Sequence, residues 1–381
     1  MEELTNYERQ RHNKKLAFIC IWIIIATALY CIFAQMVQTK RDNRKFEIIS
    51  GVEPVLNWTL KTAHISSAES DFNVKIVDEK SSDPGIHFLS DEFIQKINSM
   101  AVSWKAGRNF PASASRESLK RLLGAKRRDR RDVRLAIKTY PNTSSSDLPE
   151  NFDGREQWPD CPSLREIRNQ GCCGSCWVFG AVEVMTDRQC ILKKTQFRYS
   201  AEEPLLCIEF TEDYCSGGFP EDVYHYWIKS GIVSGGSFNS TAGCQPYEID
   251  PVCPPDNSNK QVSDLSCEKS CQKNYFVSFT EDKHFGSESY ALDEDKDIMR
   301  ELFEKGPITV AFEVYEDFFN YKSGVYKHVS GSYAGGHAVK CLGYGVQDVL
   351  PYYLCANSWD YDWGDGGFFK IAMSEIEYVW L

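Results

Sequence analysis

Three residues of this 381-residue chain have the side chains needed for covalent acyl transfer: Cys176, His337 and Asn357. Cys176 lies in Gln170-Gly171-Cys172-Cys173-Gly174-Ser175-Cys176-Trp177, and the residues after it are helix-compatible, with Val178, Ala181, Val182 and Met185 spaced as one apolar stripe. A sulfur at that helix mouth meets free amides and the positive dipole end, which predicts a depressed thiol pKa and a reactive thiolate. His337, in Gly335-Gly336-His337-Ala338-Val339, stands 161 residues further on and is the candidate base. Asn357, in Leu354-Cys355-Ala356-Asn357-Ser358-Trp359, carries an amide suited to holding an imidazole in one tautomer. Each has a bland reading as well: most lone histidines are core or surface groups, and many asparagines simply make turns. A zinc site at Cys173 and Cys176 needs two further ligands, and no partnering Cys-x-x-Cys or histidine pair accompanies them. No metal and no cofactor is expected.

A helix for the thiol and strands for the imidazole and amide require a globular body, which residues 148–381 can supply. Apolar residues make up 42% of the chain and charged residues 25%, which excludes a disordered, collagen-like or polytopic membrane protein. The net charge of −11 offers phosphates no attraction, so no nucleic-acid partner is expected. The charge is divided: residues 1–147 carry +7 and residues 148–381 carry −18, as two mutually attracting units would. Thirteen of the 15 cysteines follow residue 147, a concentration that fits a disulfide framework formed in an oxidising compartment.

The first unit reads in sections. Residues 1–15 are short and basic. Residues 16–39 hold no charge and, as a helix, span the roughly 30 Å of a bilayer core. They are read as a transmembrane signal-anchor, with a signal peptide cut after Ala34 as the rival. Basic residues flank both sides, so orientation is not set. Either reading sends the rest of the chain into the secretory route, to the lysosome, the extracellular space or a single-pass membrane tether. Sequons at Asn57, Asn142 and Asn239 agree with that route. Residues 40–88 read as a luminal stalk. Phe93, Ile97, Met100 and Trp104 then fall at helical spacing, which predicts a helix over Leu89–Gly107 capped by Ser90. The basic run 126–131 and the serine-rich stretch 141–147 read as an exposed linker.

Taken together, Cys-Gly-Ser-Cys-Trp at 173–177, Gly-Gly-His at 335–337 and Asn-Ser-Trp at 357–359 resemble the papain-like cysteine protease family, its cathepsin B branch in pro-form. Phe152–Trp158, Val233–Gly236, Asp282–Gly286 and Asp362–Gly364 match it too. The resemblance implies an α+β, two-domain papain-like fold, one domain helical and one β-rich, with the active site between them. It implies Cys176 as nucleophile, His337 as acid/base, Asn357 as orienting residue and Gln170 as oxyanion donor. Gly217 and Gly218 become the substrate-backbone strip. Trp359 shields the His337–Asn357 bond, and Trp363 lines the leaving-group side. Peptides and proteins are the implied substrates. Residues 89–147 are the implied intramolecular inhibitor, with maturation near Leu148. Bridges carried over by position are Cys161–Cys190, Cys173–Cys215, Cys207–Cys267 and Cys244–Cys271.

The chain also departs from that family. The stretch Cys244–Cys271, where cathepsin B has two carboxylate-binding histidines, holds none, so endopeptidase rather than carboxydipeptidase action is expected. Cys253 lacks its family partner, and Cys172, Cys341 and Cys355 are additional. The last two sit in neighbouring predicted strands and are able to pair, although free buried thiols are the commoner state. At Ser374–Leu381 the family's cysteine and last strand are absent or altered, which leaves the second subsite unassigned. The altered end is also what a catalytically impaired homologue acting as a binding or anchored protein would have.

Overall fold

The computed structural model describes residues 86–100, 103–126, 135–141, 147–208, 214–252 and 265–381. The apolar run 16–39, the stalk up to residue 85, Asn57, Asn142, Cys253 and residues 127–134 lie outside them, whereas Phe88, read as the end of the stalk, is buried against the ring of Phe319. Among the described residues no helix is long and apolar enough to cross a membrane.

Ser90 opens helix α1 (Asp91–Ser99). Its hydroxyl accepts the Phe93 amide at 3.1 Å, Asp91 and Glu92 occupy the positive first turn, and Phe93 and Ile97 turn inward. The helix predicted to reach Gly107 ends at Ser99, and Trp104 belongs to a strand, β1 (Trp104–Ala106). The cause is local. Asn98 donates to Ala106 O at 2.9 Å and accepts from Ala106 N at 3.0 Å, closing a loop where further helical turns would run. A short helix, α2 (Arg116–Lys120), follows Ser115, whose hydroxyl caps it.

In the acidic part, β2 (Phe152–Asp153) and α3 (Gly154–Gln157) precede α4 (Cys176–Lys193), α5 (Glu202–Cys207) and α6 (Pro220–Ser230). Every residue of α4 from Cys176 to Asp187 is buried. The predicted stripe is therefore only part of its apolar surface: α4 lies between an α-helical core and the β sheet, and a helix covered on all sides loses its amphipathic pattern.

The remaining elements are β3 (Ala291–Leu292), α7 (Asp295–Lys305), β4 (Ile308–Tyr315), β5 (Tyr321–Tyr326), β6 (Tyr333–Gln347), β7 (Leu350–Ala356), β8 (Phe368–Ala372) and β9 (Ile376–Trp380). They form one sheet in the order β1-β5-β8-β7-β6-β4-β9-β3, with β2 on the side of β6. The strand β9 stands between β4 and β3, so a closing strand exists where the resemblance gave out. In the β6–β7 pair Cys341 lies opposite Cys355, and the two form a disulfide instead of remaining free thiols. The pairs Cys161–Cys190, Cys173–Cys215, Cys207–Cys267 and Cys244–Cys271 are bonded as well. Cys172 is also disulfide-bonded, and Cys176 is the free cysteine among the described residues.

The basic segment contributes an edge strand to this sheet. Trp104 pairs with Gly324, its ring lies near Tyr321 and Tyr326, and its Nε1 donates to Lys327 O at 2.9 Å. Replacing this buried indole by Trp104→Ala is expected to weaken docking of residues 86–126 by about 3–5 kcal/mol. Limited proteolysis in graded urea would measure it; protection equal to that of the unsubstituted chain would mean β1 contributes little.

Candidate active site

The site begins with the start of α4. Ser175 does not cap the helix with its side chain; its hydroxyl meets Tyr247 OH at 2.9 Å. Cys176 is the first helical residue and is fully buried. Backbone N–H groups of Ala338, Gly124, Ala125 and Trp177 are directed at its sulfur, that of Gly124 from 3.2 Å.

His337 lies within β6 opposite Phe312, whose ring meets the imidazole edge-on at 5.8 Å. Asn357 follows the end of β7, and its backbone N–H donates to Gly367 O at 2.9 Å. The His337 Nε2 to Asn357 Oδ1 distance is 2.8 Å, and the indole of Trp359 covers the pair with its centroid 4.7 Å from the imidazole. A proton on Nε2 satisfies that bond and leaves Nδ1, which is buried without a hydrogen-bond partner, as the basic nitrogen. Trp363 is set behind Trp359, edge-on at 5.2 Å and packed among Phe318, Tyr321 and Phe369.

Gln170 is held from three directions. Its amide N–H donates to Ser358 O at 3.0 Å, Ser358 Oγ donates to its Oε1 at 2.7 Å, and Tyr247 OH donates to its carbonyl at 2.8 Å. That fixes the Nε2 group, which donates to Cys173 O at 2.7 Å and to Leu122 O at 3.0 Å. Ser358 and Tyr247 were not legible as site residues, because each acts through contacts to Gln170 that no local pattern encodes.

Leu122 belongs to the basic segment, which crosses the sulfur as bare backbone. Gly218 N donates to Gly124 O at 2.9 Å, Lys126 N to Gly218 O at 2.9 Å, and Ala125 N to Gly336 O at 3.1 Å. Gly217 has φ +89° and no room for a side chain, since a Cβ there would lie 2.4 Å from Gly124 O. A Cβ on Gly124 would come within 1.8 Å of Gly174 O, so only glycine passes this point. The sequence signal for this plug is faint: one glycine after Leu122-Leu123, just ahead of the basic run.

The covering backbone reverses the expected ionisation. Burial pushes the Cys176 thiol up to about 11, against the lowering effect of the amides around it. Burial pushes the His337 imidazole down to about 4, against the raising effect of the Asn357 bond. Burial thus favours the neutral thiol and the neutral imidazole over the ion pair that the helix mouth alone predicts.

Comparison with known proteins matches residues 148–379 to the papain family cysteine protease model and residues 89–129 to the peptidase family C1 propeptide model. A cathepsin B-like cysteine proteinase of Schistosoma japonicum is 42% identical over 301 residues, covering 76% of this chain and 87% of its own. Cathepsin B-like cysteine proteinase 6 of Caenorhabditis elegans is 43% identical over 258 residues, covering 63% and 67%. Among solved structures, procathepsin B S9 from Trypanosoma congolense superposes with a TM-score of 0.66 at 33% identity, covering 77% of this chain and 98% of that one.

Gly124→Val forces side-chain atoms against the Gly174 carbonyl. Overpacking of this kind costs about 1–3 kcal/mol, so the plug should open roughly tenfold more often. The rate of Cys176 alkylation in the full chain at neutral pH measures this; an unchanged rate would show that the plug tolerates a Cβ.

Proposed function

We propose, from the premise that the chain belongs to the papain family of cysteine proteases and is a cathepsin B-like zymogen with its propeptide as intramolecular inhibitor, that the mature enzyme is an endopeptidase. Residues 89–147 serve as inhibitory segment and linker, and residues 148–381 as the peptidase. The observation that carries this reading is the His337–Asn357 bond beside a free thiol, with the Gln170 amide already gripping a main-chain carbonyl.

Once the plug leaves, water enters, and Cys176 gives its proton to His337 Nδ1. The thiolate attacks a substrate carbonyl carbon. The oxyanion that forms lies between Gln170 Nε2 and the Cys176 N–H, a pairing in which loss of one donor typically costs about 10²–10³ in rate. His337 returns the proton to the departing amine, then deprotonates the water that cleaves the thioester. Gly217 and Gly218 receive the substrate backbone, and Trp359 keeps water off the His337–Asn357 bond. Endopeptidase action is favoured by the absence of histidine from Cys244–Cys271, which leaves no cationic receptor of that kind for a substrate's terminal carboxylate.

The run 16–39 is assigned as a signal-anchor into the secretory route, with the lysosome or extracellular space as destination. The disulfides favour an oxidising compartment, and Asn239, exposed with φ 57°, is accessible to glycosylation.

Cys176→Ala should abolish hydrolysis with the fold retained; turnover in that variant would sink the nucleophile assignment. Paired fluorogenic peptides differing only in a free or amidated carboxy terminus should be cut at similar rates. Strong preference for the free acid, with stepwise dipeptide release, would contradict the endopeptidase reading.

Acid should open the zymogen. Burial in the closed site holds His337 at about 4, below the 6.5 of an exposed imidazole, so protonation favours any form in which the ring meets water. Closure is complete above the higher value and is lost as pH drops toward the lower one, by up to about 3 kcal/mol. Protease protection of residues 86–126 in the Cys176→Ala chain, followed between neutral pH and the lower value, tests this; protection that stays constant over the whole range would rule it out.

A further inference from the structure

Resting on the reading of Cys176, His337 and Gln170 as the reacting set, we propose that Lys340 is a positioning residue, holding α4, β6 and the Gln170 loop in one register through a buried charge cluster. Lys340 is three residues beyond His337 in β6 and is 1% exposed. Its ammonium lies 3.0 Å from Asp187 Oδ2 and 3.6 Å from Glu183 Oε2, and it donates to Ser163 O at 3.2 Å. Glu183 and Asp187 stand seven and eleven residues after Cys176, intervals that return to the same face of α4.

Arg168 enters from the third side. It is buried, two residues before Gln170, and donates to Thr186 Oγ1 on α4 and to Tyr199 O, each at 3.0 Å. It also lies 3.5 Å from Glu166, which binds Arg198 at 2.7 Å. Three acids (Glu166, Glu183, Asp187) and three bases (Lys340, Arg168, Arg198) therefore meet where the elements carrying thiol, imidazole and oxyanion donor converge.

Such a cluster is a poor source of stability, since well-packed apolar groups would do as well. What it adds is register. Sliding α4 against β6 would separate a buried charge from its partner, and a cost of that kind fixes the relative placement of Cys176 and His337. Misplacement of reacting groups by about 1 Å can cost about a hundredfold in rate.

The test uses the full chain, activated at acid pH. Lys340→Met alone strands two buried acids and risks unfolding, so Lys340→Met/Asp187→Asn, which keeps the cluster neutral, is the informative variant. Its kcat should fall about tenfold or more with KM within about twofold, and Cys176 alkylation should slow in parallel. Lys340→Arg, which keeps the charge, should recover both. A double variant with unchanged thermal midpoint, kcat and alkylation rate would overturn the proposal, as would a rise in KM at constant kcat. Failure of the parent reading registers separately, as an unsubstituted activated chain that neither cleaves peptides nor reacts with an epoxysuccinyl thiol reagent.

Discussion

Desolvation of one sulfur is the constraint on which the closed molecule rests. The mouth of α4 offers Cys176 a dipole and several amides, a setting worth about 0.3–2 kcal/mol to a negative charge. Exclusion of water acts the other way and wins, leaving the thiol at about 11. Burial thus favours the protonated sulfur, and a few residues of backbone can cover it because Gly174 and Gly217 let the chain press against the site.

What holds that backbone down is mostly packing and main-chain pairing. The opposite net charges of the two parts agree with attraction, and Arg116 does reach Glu316, whose side chain is buried. Yet the more numerous described contacts are of another kind. Asn109 donates to Phe319 O and Tyr321 O, Asn320 donates to Phe88 O, and β1 extends the sheet at β5. Phe88 and Phe110 meet the ring of Phe319, and Phe110 also meets that of Trp359. Surface ion pairs are screened and individually weak. Aromatic burial and strand pairing are not, so the charge asymmetry seen in the sequence describes the two parts better than it explains their union.

The sequence disclosed the residues whose chemistry is local. A cysteine at a helix mouth, a Gly-Gly-His strand and an amide beside an aromatic pair each carry a short pattern; the fold bonds His337 to Asn357 and directs the N–H of the neighbouring Ala338 at the Cys176 sulfur. It misled where a tertiary contact overrode a period: Asn98 folds onto Ala106, so Trp104 leaves the helical stripe and joins the sheet. It also misled at Cys176, because ionisation depends on a covering segment some fifty residues away along the chain. Cys341 and Cys355 fall between these cases. Their strands were foreseeable, but pairing depended on a cross-strand register that alternation alone does not set.

Inhibition and catalysis, on this reading, draw on the same donors and acceptors. Gln170 Nε2, Gly218 N–H, Gly218 O and Gly336 O all bond the main chain of the plug, and none of those bonds involves a plug side chain. When the plug departs, these groups face water in a groove whose polar atoms are already aimed. A peptide backbone of almost any sequence can replace the lost bonds, whereas an arriving side chain finds no matching partner among them. Recognition by main chain alone lets a segment of the enzyme's own chain occupy these groups. Of the plug's main-chain groups, the Gly124 N–H faces the sulfur, at 3.2 Å.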